Sequence, residues 1–195
     1  RHICDEVNKR FVVLAPTGVA AMNVGGQTIH SFFGLSFGVQ GPNNYGHINE
    51  ERIKLIRKID TIIIDEISMV RCDMVDVIDR MLRRHRNSSQ PFGGVQVVFV
   101  GDLFQLPPVI TMQDKALLRK FYSSTGYYFY DSNVLKSMKL PKIEFTKVYR
   151  QNDPAFIELL DRFRVGSVRY SDIVKLNTRV IDEDLLDADD NFRIT

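Results

Sequence analysis

The residues best suited to chemistry are two adjacent acids, Asp65 and Glu66, which close the run Thr61-Ile62-Ile63-Ile64. Three consecutive β-branched apolar residues read as a buried strand of a parallel sheet, and acids directly after them stand at its carboxyl end. Ligands of open α/β sheets bind beyond that end. An aspartate there can hold Mg²⁺ directly or through water, and a glutamate beside it can orient an attacking water. With Ile67-Ser68-Met69 following, the stretch is a Walker B pattern. The alternative is a strand that merely ends in two solvated acids.

Other elements must position that pair. Phe11-Val12-Val13-Leu14-Ala15 reads as a second buried strand, broken by Pro16-Thr17-Gly18, with a helix beginning at Val19. Residues 28–33 form a short aromatic-rich element. Residues 34–50 are rich in Gly, Asn and aromatics and read as a loop or small hairpin insertion, long enough to suggest a function. Residues 51–58 form a basic amphipathic helix, and residues 73–86 a helix with Met74, Ile78, Met81 and Leu82 at helical spacing. Residues 95–100 form a third strand, ending in Gly101-Asp102, and residues 142–147 a fourth, weaker one. Pro154 starts a helix whose buried stripe is Phe156, Leu159, Leu160 and Phe163. Strands with helices between them predict an α/β fold with a mostly parallel, doubly wound sheet. Arg80, Arg83, Arg84, His85 and Arg86 read as favourable charge at a helix C-terminus on a solvated face, in preference to a nucleic-acid contact.

The chain has 195 residues, 44% of them hydrophobic, enough for one α/β core with some decoration. Its formal net charge of +2 hides an asymmetry. Residues 181–195 hold six acids and one base, which leaves 25 bases against 18 acids in residues 1–180. That bias is compatible with a polyanion partner. Cys4 and Cys72 supply neither a disulfide framework nor metal-ligand spacing, so a reducing compartment is the default. No apolar run approaches the roughly 20 residues that span a bilayer. No signal peptide is visible; the chain opens on Arg1-His2, without an initiator Met, and reads as a piece of something longer.

Five segments stand in a fixed order: Ala15-Pro16-Thr17-Gly18-Val19-Ala20-Ala21, Gly26-Gln27-Thr28-Ile29-His30-Ser31, Ile64-Asp65-Glu66-Ile67-Ser68-Met69, Gly101-Asp102-Leu103-Phe104-Gln105-Leu106-Pro107-Pro108-Val109 and Val148-Tyr149-Arg150-Gln151. This set closely resembles the petite-integration-frequency family of superfamily-one DNA helicases, and Pro91-Phe92-Gly93-Gly94-Val95-Gln96 resembles that family's own signature. The resemblance runs from about Arg10 to Gly166. It implies a RecA-like P-loop NTPase fold, with residues 1–180 as the first motor domain, a small wedge-like insertion at about 34–50, and 181–195 as an acidic segment leading toward a second motor domain. It implies an ATP-dependent 5′-to-3′ DNA helicase, with ATP and Mg²⁺ as cofactors. Single-stranded and forked or structured duplex DNA would be its partners, no membrane is involved, and the full-length protein would be monomeric. Its place would be the nucleoid if bacterial, the nucleus or mitochondrion if eukaryotic, in replication, recombination, repair or telomere maintenance.

By the same resemblance Asp65 positions Mg²⁺, Glu66 polarises the attacking water, and Gln105 couples nucleotide state to DNA grip. Arg150 stabilises charge developing in phosphoryl transfer. Pro16, Thr17 and Gly18, with Thr28, His30 and Ser31, hold the single-stranded DNA backbone. For a lone His30 a satisfied core histidine is the bland alternative, and the Thr-Ile-His-Ser match favours the phosphate contact. Phe32, Phe33 and Phe37 could stack on bases, but aromatics beside glycines more often pack locally, and packing ranks first.

One departure bears on activity. A P-loop requires Gly-x-x-x-x-Gly-Lys-Ser/Thr, and none of the twelve glycines is followed by lysine. In the family that motif lies one helix upstream of Ala15, and residues 1–10 read as that helix's second half. The expectation is a first motor domain incomplete at its N-terminus, inactive as an ATPase alone. The alternative is a non-catalytic single-stranded nucleic-acid-binding module that has lost its phosphate loop.

Overall fold

The computed structural model describes residues 9–122 and 127–180. The helical stripe expected in residues 1–10, apart from its last two positions, and the acidic segment 181–195 lie outside the described residues. The chain divides into two compact units, Arg1–Lys142 and Ile143–Thr195.

The first unit is built on a four-stranded parallel sheet. Its strands are β1 (Phe11–Ala15), β2 (Gln27–Thr28), β3 (Thr61–Ile64) and β4 (Gln96–Phe99), in the order β2-β1-β3-β4. Leu14 pairs with Gln27 on one side and with Ile64 on the other, and Ile64 pairs with Phe99. All four carboxyl ends therefore lie along one edge. Between β1 and β3 the strand order reverses direction, the topological switch point at which open α/β sheets bind ligands.

The intervening helices follow from local chemistry. Thr17 caps α1 (Gly18–Asn23) by accepting from the Ala20 N–H at 3.2 Å, and Thr28 caps α2 (Ile29–Phe33) by accepting from the Ser31 N–H at 3.2 Å. Asn49 does the same for α3 (Glu50–Lys58), whose acids stand in its first turn and bases in its last, as the helix dipole favours. The longest helix among the described residues, α4 (Cys72–Arg86), shares one core with its Val75, Ile78, Met81 and Leu82 beside Leu14, Ile62 and Ile64, joined by Phe32, Phe33 and Ile56.

Helix α4 also carries a buried acidic row. Asp73, Asp76 and Asp79 recur every three residues, all buried, and each ties a different segment to the core. Asp73 accepts from the Gln40 N–H at 2.7 Å and from Arg71. Asp76 accepts from the Tyr122 hydroxyl at 2.7 Å and from the N–H groups of Asn133 and Val134, at the start of α6 (Asn133–Lys136). Between α4 and α6 comes α5 (Met112–Leu118). Asp79 accepts from the Phe92 N–H and pairs with Arg83. These acids, to which the sequence alone assigns no role, serve as acceptors for loop N–H groups that would otherwise be buried without partners.

Two arginines of α4 differ from expectation for the same reason. Arg86 donates to the carbonyls of Ile56, Arg57, Ile59 and Gly93, filling acceptors left over where α3 ends. Arg80 donates to the Gly41 carbonyl, and Arg84 stacks 4.6 Å from the Tyr45 ring. Arg80 and Arg86 thus fasten backbone, while Arg84 keeps the exposure expected of a solvated face.

One further expectation is corrected. Residues 142–147 form no strand, and the fourth place in the sheet belongs to β2. Ile143 and Phe145 are 84% and 90% exposed: the alternation is present, but a strand also needs an edge to pair with. Of the loop and the small hairpin expected at residues 34–50, residues 34–49 take the loop. They run as a loop fastened by side chains, with Gly34 in the left-handed region (φ +58°) where an added Cβ would lie 2.0 Å from the His47 carbonyl oxygen.

The second unit contains α7 (Pro154–Arg164) and α8 (Tyr170–Asn177). Arg162 joins them, donating to Asp172 at 2.6 and 2.8 Å and to Glu158. The guanidinium holds the Asp172 carboxyl down at about 2.

Candidate nucleotide and nucleic-acid site

Side by side along the carboxyl edge stand the ends of β2 (Thr28), β1 (Pro16, Thr17), β3 (Asp65, Glu66) and β4 (Gly101, Asp102). The Asp65 N–H donates to the Leu14 carbonyl at 2.8 Å, which continues the β1–β3 ladder by one step and fixes Asp65 beside the Pro16–Gly18 turn. The next residue leaves the sheet sharply. Glu66 has φ 50° and ψ 44°, a left-handed conformation uncommon for a residue with a Cβ and typical of strained functional turns. The Ile67 N–H then donates to the Val100 carbonyl at 3.0 Å, closing the turn against β4. Gly101 makes that closure possible, since a Cβ there would lie 3.0 Å from the Ile67 nitrogen.

Beyond β4, Asp102 organises the following loop. Its carboxylate accepts from the Phe104 N–H at 3.0 Å and from the Gln105 side-chain amide at 3.3 Å, and its carbonyl accepts from the Gln105 N–H. Gln105 is exposed with its amide turned to Asp102. Sequence reading noted Asp102 only as another strand-tip acid, and this bond is the signal it lacked.

Among the described residues no group of three or more His, Cys, Asp or Glu side chains could hold a metal ion. The donor set fits a hard cation held by one or two carboxylates together with waters and phosphate oxygens, which is how Mg²⁺ is usually bound. Asp65, half-buried at the end of an apolar strand, suits that role.

On the β1–β2 side, Thr17, Gly18, Thr28 and Ser31 line the same edge. The two threonine oxygens accept helix N–H groups, and each hydroxyl keeps its own hydrogen to donate. A Cβ at Gly18 would meet nothing within 4 Å. His30 is half-buried, its ring 5.2 Å from that of Phe37. Burial first and the Arg71 charge second hold it below the usual histidine range, against an upward pull from Asp73. Phe32 and Phe33 are fully packed, whereas Phe37 is 92% exposed, so ranking packing above stacking holds for two of the three. Cys72, buried below the turn, has its thiol pushed up to about 12 by burial and the neighbouring acids, so it is no nucleophile. Arg150 belongs to the second unit and is exposed beside Tyr149, whose ring lies 4.8 Å from the Lys147 ammonium. No helix among the described residues is long and apolar enough to cross a membrane.

Comparison with known proteins meets this geometry. The chain is 36% identical over 188 residues to the ATP-dependent DNA helicase PIF1 of Saccharomyces cerevisiae (strain YJM789), covering 93% of this chain and 21% of that protein. It is 36% identical over 166 residues to the human ATP-dependent DNA helicase PIF1, covering 80% of this chain and 23% of that protein. Among solved structures, Bacteroides Pif1 bound to single-stranded DNA superposes with a TM-score of 0.85 at 42% identity, over 91% of this chain and 42% of that one. A structure of two coordinating Pif1 helicases on forked double-stranded DNA superposes with a TM-score of 0.84 at 43% identity, over 90% of this chain and 42% of that one. The chain thus spans about a fifth of the length of these curated relatives, and it has the RecA-like fold of the solved ones. The family model for PIF1-like helicases matches residues 2–173, and with the strand-tip motifs in their places the chain belongs to the PIF1-like helicase family.

Proposed function

We propose that this chain is the first motor domain, residues 1–180, of an ATP-dependent DNA helicase that moves 5′-to-3′ along single-stranded DNA. The observation that carries the reading is the juxtaposition at the switch point: Asp65 and Glu66 between the Pro16–Gly18 turn and the Gly101–Gln105 loop. Asp65 would hold Mg²⁺ and Glu66 would turn a water toward the γ-phosphate from the left-handed turn that follows the strand. Bound Mg²⁺ supplies neutralisation of phosphate charge. Gln105 exchanges its bond to Asp102 for one to the γ-phosphate, which makes the β4 loop a reporter of nucleotide state. Arg150 stabilises charge on the transferring group. Thr28, His30 and Ser31, with Pro16, Thr17 and Gly18, grip the DNA backbone by hydroxyl, imidazole and main-chain N–H donors. The 34–50 insertion takes the place of the wedge at the fork.

The substrates are single-stranded and forked or structured duplex DNA. The setting is the genome: nucleus or mitochondrion in a eukaryote, nucleoid in a bacterium, in replication, recombination, repair or telomere maintenance. A monomer is the working form.

A second reading is favoured by the lack of any Gly-Lys pair in the 195 residues, a non-catalytic module that binds single strands. ATPase assays with and without single-stranded DNA, on this chain and on the full-length protein, separate the two. The motor reading expects DNA-stimulated hydrolysis by the full-length protein, abolished by Glu66→Gln, and none by this chain. A full-length protein that binds DNA without hydrolysing ATP would leave the module.

A further inference from the structure

Phe37 is 92% exposed, and its placement is anything but loose. The carbonyls on either side of it are both held by one buried side chain: the Gln40 amide donates to the Ser36 oxygen at 2.8 Å and to the Gly38 oxygen at 2.9 Å. Arg71 donates to the same Gly38 oxygen at 2.6 Å. Gln40 is itself anchored by its N–H to Asp73, which is fully buried. Gly38 adopts φ +97°, a conformation that L side chains rarely reach. The fold thus uses two buried polar side chains and a glycine to hold one large apolar ring in water, where its burial energy is forgone.

The flanking residues Ser36 and Gly38 are exposed and not apolar, so along this loop the ring stands alone. That shape suits one flat partner more than a layer of protein side chains. Among the described residues the ring's one aromatic neighbour is His30, 5.2 Å away at 33°, within the Thr28–Ser31 segment assigned above to backbone phosphates. A strand gripped there by its phosphates has a base to place beside the His30–Phe37 pair.

We propose that Phe37, backed by His30, is a stacking platform for one nucleobase of the bound single strand. The platform is sequence-tolerant, because every base has a π-face. It rests on the DNA-binding reading above and adds to it a base contact beside the backbone contacts.

The test is fluorescence anisotropy of the full-length protein, Phe37→Ala and Phe37→Trp, with an oligo-dT strand and with an abasic strand of equal length. Wild type should prefer the strand with bases. Phe37→Ala should weaken oligo-dT binding about tenfold, leave abasic binding unchanged and keep the melting temperature, while Phe37→Trp restores the preference. Equal binding of oligo-dT by wild type and Phe37→Ala overturns the platform and spares the helicase reading. So does a loss that is the same for both strands, which would make the ring a support for its loop. A wild-type protein that binds neither strand overturns both readings together.

Discussion

The Gln40 main-chain N–H donates to the buried Asp73 carboxylate at 2.7 Å, across 33 residues of sequence. Asp73 lies in the first turn of α4, directly after the turn that carries Asp65 and Glu66, and Gln40 holds the tip of the 34–49 loop. The start of α4 and the insertion therefore share one buried acceptor, completed by Arg71, which donates to Asp73 at 2.9 Å and also to the Gly38 carbonyl.

Replacing Asp73 with Asn keeps the size and removes the charge. Arg71, whose side chain is 14% exposed, would then be left without its ionic partner, and breaking a buried pair on one side costs about 3 kcal/mol. Asp73→Asn is expected to lower the urea midpoint accordingly and to open residues 34–49 to limited proteolysis. An unchanged midpoint would mean that Arg71 finds another partner.

Glycines on the same edge should separate structural from ligand-driven need. A Cβ at Gly26 would lie 2.3 Å from the Val13 carbonyl oxygen, inside the β1–β2 contact, so Gly26→Ala must push two strands apart and destabilise by about 1–3 kcal/mol. At Gly18 a Cβ meets nothing, and alanine is the better helix residue by about 1 kcal/mol. Gly18→Ala is expected to leave thermal stability equal or higher while weakening single-stranded DNA binding, because only the ligand needs the space. If both variants lose stability alike, the backbone at Gly18 is under a constraint that its open surroundings do not account for.

How much of this was readable beforehand depended on whether the signal was local. The runs Phe11–Ala15 and Thr61–Ile64 announce themselves because β-branched apolar residues between breakers have few other uses, and the motif order then places the site. Residues 142–147 carry an equally clear alternation, but pairing is a non-local event that no local pattern guarantees. Taken singly, Asp73, Asp76 and Asp79 carry no sequence signal of burial, because an isolated acid avoids it. What reverses that is a set of loop N–H donors 13 to 58 residues away in sequence. The threefold spacing of acids inside an otherwise apolar helix was the available clue. Phe37 was grouped with Phe32 and Phe33 by type and proximity, and only the three-dimensional course of the loop parts them.

The histidines supply a pH dependence whose sign is fixed. His30 is held below the usual histidine range by burial and by Arg71, and His85 by burial and by Arg84. An unfolded histidine titrates near about 6.5. Below that pH the unfolded chain takes up protons that the native sites refuse, so the unfolded state binds more protons and stability must fall as pH falls. The decline continues until the native imidazoles titrate in turn, with a limiting slope of about 1.4 kcal/mol per pH unit for each group. Urea midpoints should therefore drop between pH 7.5 and 5.5, and His30→Gln should flatten part of that drop. Bound phosphate pulls the other way, since an anion against the imidazole favours its charged form. Single-stranded DNA is accordingly expected to bind more tightly as pH falls through the same interval in wild type, with less change in His30→Gln. A variant with the wild-type slope in both measurements would show that His30 neither resists protonation in the native state nor meets the phosphate.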